Sequence, residues 1–186
     1  GICQTGGESI FQILNLAPSS RALALGNRII SVRDSDVTLA QINPAIAQSY
    51  TTHQVSFNHS FYYTGSSYST ISSTYHLPRQ HLTLIGGLQS LRHGDIQGAD
   101  EFGNKTNSFS ASENLILIGA SKKLFDQVNI GVNFKYILSS LESYHAHGLA
   151  IDIGGLYTFN NPLKHVGITI KNLGSQFKSY QTEKEN

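Results

Sequence analysis

Three observations predict an all-β fold, an antiparallel transmembrane β-barrel of outer-membrane type behind a short helical plug. The first is alternation. Val128, Ile130, Val132, Phe134, Tyr136 and Leu138 share one face of a strand, and Asn129, Gly131, Asn133 and Lys135 share the other, so the strand separates two media. The pattern returns at Leu149, Ile151 and Ile153 against Ala150, Asp152 and Gly154, and at Val166, Ile168 and Ile170 against Gly167, Thr169 and Lys171. The polar face is rich in Gly and Asn, and Tyr136, Tyr144, Tyr157 and Phe159 gather near strand ends, as in a wall between lipid and a watery lumen with an aromatic girdle. The second is charge: only 13% of the 186 residues are Asp, Glu, Lys or Arg, well under the roughly 25% of ordinary soluble domains. The third is that no apolar run approaches the roughly 20 residues of a spanning helix. A chain that crosses a bilayer without such a helix needs closed strands, because hydrocarbon cannot satisfy an open backbone edge.

The elements follow in order. Residues 1–7 read as a processed or disordered N-terminus. The chain has no Met, so its first residue is not a translation start, and Gly1-Ile2-Cys3 fits the end of a removed signal peptide or an arbitrary boundary. Cys3 stands alone, which excludes an internal disulfide, and the bulky Ile2 before it argues against a lipid anchor. Residues 8–50 form the plug. Pro18-Ser19-Ser20 starts a helix that Gly26 stops, and Asp36 caps a second short turn running toward Asn43-Pro44. Residues 51–174 carry about seven strands, near 53–64, 67–77, 80–92, 107–121, 127–141, 146–159 and 164–174. Short polar turns at Thr64-Gly65-Ser66, Leu77-Pro78-Arg79, Leu124-Phe125-Asp126 and Asn160-Asn161-Pro162 connect antiparallel neighbours. Longer links, from Arg92 to Asn107 and from Leu141 to Ala146, fit the long-loop end of a barrel. Residues 175–186 are a polar tail without a closing strand's alternation, read as a truncation point of a larger barrel. Small barrels fill their interiors with side chains, whereas these lumen faces are mostly Gly, Ser and Asn.

Lys135, Asp152 and Lys171 orient the sheet. A lysine at the lipid midplane costs about 2–4 kcal/mol and little in an aqueous lumen, so all three are expected to face inward. Lys135 and Asp152 are expected to be solvated independently, with a pair across neighbouring strands as the alternative. A net charge of +1 with scattered Lys and Arg leaves no basic stripe for nucleic acid. His145 and His147 lack a third ligand at metal spacing. Asp34, Asp36 and Thr38 begin like a calcium loop but meet Leu39 and Ala45 where Gly and Glu are required, which favours a turn and helix cap. Oxygen ligands in the longest loop could hold calcium weakly, but solvation explains them better. No nucleophile elbow, phosphate loop or placed nucleophilic Cys is present. No enzyme activity and no cofactor are expected.

The motifs Gly6-Gly7-Glu8-Ser9, Leu14-Asn15-Leu16-Ala17-Pro18-Ser19-Ser20-Arg21, Ala24-Leu25-Gly26 and Asn43-Pro44-Ala45 stand in the N-terminal segment. Ala99-Asp100-Glu101-Phe102-Gly103-Asn104, Ser139-Ser140-Leu141-Glu142-Ser143-Tyr144, Asp152-Ile153-Gly154-Gly155 and Lys171-Asn172-Leu173-Gly174 follow. In this order they resemble the PorQ family of the bacterial type IX secretion system, related to PorV and to FadL-like barrels. The resemblance spans nearly the whole chain and departs at Gly26-Asn27, where the family usually has a second glycine. It implies an outer-membrane barrel of about fourteen strands with an N-terminal plug, this chain supplying the plug and about half the wall.

The resemblance further implies a non-enzymatic scaffold in the outer membrane of a Gram-negative bacterium. Such a barrel sits in outer-membrane lipid and holds a PorZ-like surface protein in a complex with PorU and PorV, which fixes secreted cargo to surface lipopolysaccharide. Arg92, Asp95, Asp100, Glu101, Asn104, Glu142 and Tyr144 are the candidate partner contacts, since binding residues concentrate on loops. Two other functions fit the strand pattern. One is a FadL-like transporter of hydrophobic small molecules with a movable hatch, disfavoured by the polar lumen face. The other is a soluble β-sandwich binding module.

Overall fold

The computed structural model describes residues 11–62, 65–94, 96–99, 105–141, 144–161 and 163–178. Among the described residues, nine strands follow the N-terminal segment: β1 (Gln54–Phe61), β2 (Ser67–Leu77), β3 (Leu82–Arg92), β4 (Ile96–Ala99), β5 (Lys105–Phe109), β6 (Ala111–Phe125), β7 (Val128–Leu141), β8 (Tyr144–Thr158) and β9 (His165–Lys178). Among the described residues, seven of them form one antiparallel sheet in the order β1-β2-β3-β6-β7-β8-β9, and β4 and β5 pair separately. The sheet is a pure meander, and among the described residues its outer strands β1 and β9 are not paired with each other.

The strand expectations from the sequence hold with three differences, the first being that the strand expected at 107–121 runs instead from Ala111 to Phe125. The long link after Arg92 contains the β4–β5 hairpin, where a loop was expected; its Gly- and Asp-rich sequence carries no alternation that would reveal it. The last strand continues to Lys178 rather than stopping at 174, because pairing with β8 depends on backbone groups and needs no apolar side chains. Residues 1–7 and the tail beyond Lys178 lie outside the described residues.

The N-terminal segment folds as short pieces with side-chain caps. A 3-10 turn, Gln12–Asn15, precedes α1 (Ser20–Ala24). Ser19 Oγ caps α1 by accepting the Ala22 N–H at 3.2 Å, and the helix ends where Gly26 and then Asn27 adopt positive φ, 77° and 53°. Asparagine tolerates this left-handed region better than most residues, so the departure at Gly26-Asn27 leaves the turn intact. Further 3-10 turns cover Val37–Gln41, Pro44–Ile46 and Ser49–Thr51. Asp36 and Asn43 cap the first two, accepting from the Thr38 and Ala45 N–H groups.

This segment lies across one face of the sheet. Phe11, Ile13, Ala40 and Ala47 form a core with Ile85, Leu115, Leu117, Ile137 and Ala150, and Ala22, Ile29, Leu39, Ile42 and Ile46 pack together within the plug. Two sheet glycines make the seat. A Cβ on Gly131 would lie 2.6 Å from the Pro44 carbonyl carbon, and one on Gly154 would overlap the Asn43 amide. The plug backbone therefore rests directly on β7 and β8. These glycines had suggested an open, watery lumen; they are instead the mould into which the plug is pressed.

Candidate functional site

The sheet is inverted relative to an ordinary soluble one: its apolar face is bare and its polar face is covered. On the bare face the register aligns side chains into rows across strands. Tyr75, Leu84, Ala120, Val132, Ile153 and Ile170 form one row from β2 to β9. Phe57, Ile71, Leu88, Ile116, Tyr136 and Leu149 form another from β1 to β8. Val55 is 74% exposed, Ile118 68% and Ile168 68%. The next row toward the long-loop end is mostly polar: His59, Ser69, Ser90, Asn114, Leu138 and His147.

The apolar rows thus make a belt with an edge. Five rows of outward residues, from the Phe125, Val128, Tyr157 and Val166 row to the Phe57 row, two residues apart at about 3.4 Å rise each, span about 27 Å along the strands, or about 20 Å once tilted by about 40°. That is close to the roughly 25 Å apolar band of lipid-spanning barrels. Aromatic rings border it. Tyr157 and Phe159 make an edge-to-face pair near the short turns, and Tyr136 stacks on His147 near the long loops.

The covered face is a network of directed bonds between plug and wall. The Gln41 side chain donates to Ser72 Oγ and accepts from Gln89, and Tyr68 donates to Gln89 at 3.0 Å. Asn133 donates to the Ala40 carbonyl at 2.9 Å. Thr70 donates to the Pro18 carbonyl at 2.7 Å. The Glu113 carboxylate accepts the Ile13 N–H at 2.8 Å, which places a negative charge at the start of the first 3-10 turn, where free N–H groups favour it. Ser72, Gln89, Asn133, Thr70 and Glu113 thus each meet a plug group that would otherwise be buried without a partner.

On this face, between β7 and β8, Lys135 Nζ lies 2.6 Å from Asp152 Oδ2, with side chains 4% and 0% exposed. The expected independent solvation of these charges is corrected: the plug excludes water, and buried charges persist only when paired. The pair is built at a β-bulge. Ile153 faces Ile170 and Ile151 faces Leu173, so Lys171 and Asn172 together oppose Asp152. Asn172 takes φ 58°. Its N–H donates to Asp152 Oδ1 at 2.8 Å, and its side-chain oxygen accepts from Lys135 Nζ at 3.0 Å. Lys171 is half-buried and borders the same small space under Leu16 and Pro18 as Lys135.

Sequence reasoning placed Lys135, Asp152 and Lys171 on one face, as observed, but missed Asn172, which links the pair. The available signal was weak: an Asn inside a strand, the residue type enriched at positive φ. Of the loop candidates, Arg92 ends β3, exposed and in register with Ser67 and Ser112. Asp95, Asp100, Glu101, Asn104 and Glu142 lie outside the described residues, as does the side chain of Tyr144. The Asp34–Thr38 stretch forms Asx turns: Asp34 accepts the Asp36 N–H at 2.9 Å, and Arg21 bridges both Asp34 and Asp36. Burial pushes the Asp34 carboxyl up, but Arg21 and the Asp36 N–H outweigh it and hold it below the usual carboxylate range. Among the described residues, no three His, Cys, Asp or Glu side chains converge as metal ligands.

Fold and site together define a class: an all-β chain whose antiparallel meander sheet has one bare apolar face and a bonded N-terminal segment on the other. No model of a known protein family and no curated protein matches the chain.

Proposed function

We propose that this chain is part of a PorQ-like outer-membrane β-barrel, a non-enzymatic scaffold of the type IX secretion system. In this reading it anchors a PorZ-like surface protein which, with PorU and PorV, fixes secreted cargo to lipopolysaccharide. The observation that carries the membrane part is the inverted sheet: a belt of bare aliphatic rows opposite a polar face sealed by the plug. Water on that belt would be unfavourable at about 25 cal/mol per Å² of apolar surface, whereas acyl chains match it. The scaffold role draws on the ordered sequence motifs, with the long-loop end carrying Arg92 and the remaining loop candidates toward the partner.

The bonded plug favours a scaffold over a FadL-like transporter. A movable hatch would have to break the Gln41, Asn133 and Thr70 bonds and expose the Lys135–Asp152 pair. Two experiments test the reading in stages. The full-length protein is expected to fractionate with the outer membrane and to change gel mobility on boiling; a soluble sandwich module would do neither. Deletion of its gene is expected to release cargo from the cell surface. Normal anchoring in the deletion strain would refute the scaffold role with the barrel intact, and fatty-acid uptake that depends on the protein would favour transport.

A further inference from the structure

A cavity of about 690 Å³ opens at the short-turn end of the molecule, between the plug and the β8–β9 turn, with Ser31, Arg33, Tyr50, Leu163 and His165 in its wall. Its plug side is a strap pinned at both ends. At one end the Ile30 carbonyl accepts from the Asn43 side chain at 2.6 Å and lies on Gly167 of β9, where a Cβ would overlap it. At the other end Arg21 holds Asp34 and Asp36.

Asp34 also borders the cavity, its carboxylate held by Arg21, which it shares with Asp36, and by the Asp36 N–H. Arg33 is left over: among the described residues it makes no ion pair, and its guanidinium lies over the Tyr50 ring, 5.2 Å from the centroid. The ring fixes the cation without neutralising it. Tyr50 is itself held, donating to the Ile46 carbonyl at 3.2 Å. The same wall holds Ser31, His165, whose Nδ1 lies 3.3 Å from Thr158 Oγ1, and the apolar Leu163, which is 87% exposed.

We propose that this cavity is a binding site for a small anion, a carboxylate or phosphate ester carried on an apolar body. Arg33 pairs with the anionic oxygens, Ser31 and His165 supply hydrogen bonds, and Tyr50 and Leu163 cover the body. A planar guanidinium matches carboxylate and phosphate oxygens two at a time, and the volume suits a small organic ligand. The site lies on the plug and one turn, so it stands whether or not the sheet closes in a membrane.

The test is titration of the full chain in a nonionic detergent with benzoate, phenyl phosphate, benzamide and inorganic phosphate, followed by calorimetry. Benzoate or phenyl phosphate is expected to bind at least about tenfold more tightly than benzamide, the worth of a charged hydrogen bond, and more tightly than inorganic phosphate. Which of the two anions binds better identifies the head group. Arg33→Gln is expected to weaken binding about tenfold or more, and Arg33→Lys to retain part of it, with circular dichroism unchanged in both. Equal binding of benzamide, or full binding by a folded Arg33→Gln variant, overturns the proposal. Inorganic phosphate binding as tightly as phenyl phosphate overturns the apolar half of it.

Discussion

Removing the Asp152 carboxylate leaves the Lys135 ammonium buried with only the Asn172 amide oxygen to face. Asp152→Asn is therefore expected to destabilise the folded chain by about 3–5 kcal/mol, and Lys135→Met combined with Asp152→Leu to recover most of that loss. Urea unfolding in detergent measures both; a single variant as stable as the parent would mean that the charges are hydrated after all. Asp34 gives a pH-dependent counterpart. Its folded pKa is depressed, so its contribution is full above the ordinary carboxylate range and is lost as the pH falls through the lowered value. Proteolytic cutting within the Ser31–Ser35 strap is expected to rise only once the pH drops below that range, and an Arg21→Gln variant should show raised cutting already at neutral pH.

At the scale of elements, the plug and its seat are the telling pair. Gly131→Val puts side-chain atoms where the Pro44 backbone sits, and overpacking of this kind costs about 1–3 kcal/mol. The outcome expected is a plug that proteases remove while the sheet stays folded. Strand β6 offers an internal control on the bare face, since Asn114 sits in the polar border row and Ile118 in the belt. Arginine at Ile118 is expected to cost about 2–4 kcal/mol on folding into a bilayer, and at Asn114 about 0–1 kcal/mol. Equal penalties at the two positions would contradict a lipid belt.

For the molecule as a whole, the sequence foretold the wall far better than the filling. Alternation at Val128–Leu138 is a local signal with a period of two residues, so strands and faces could be read without knowing what lay against them. The bonds of Gln41 to Ser72 and of Asn133 to Ala40 join residues 31 and 93 positions apart, and no local pattern announces such partners. The Gly and Asn of the inner face consequently looked like the lining of an open channel. Small residues admit water or a close-lying backbone equally well, and only the position of the N-terminal segment decides between them. The same gap hid Asn172, whose role depends on a register shift between β8 and β9.

The plug precedes every strand in the chain, yet its fastenings are spread over them: Thr70 and Ser72 on β2, Gln89 on β3, Asn133 on β7 and, at 3.4 Å, the Gly155 carbonyl on β8. Consecutive hairpins can zip up one after another, whereas the segment made first gains its last anchor only when β8 has arrived. Its full set of these bonds therefore requires β2, β3, β7 and β8 to be in place together.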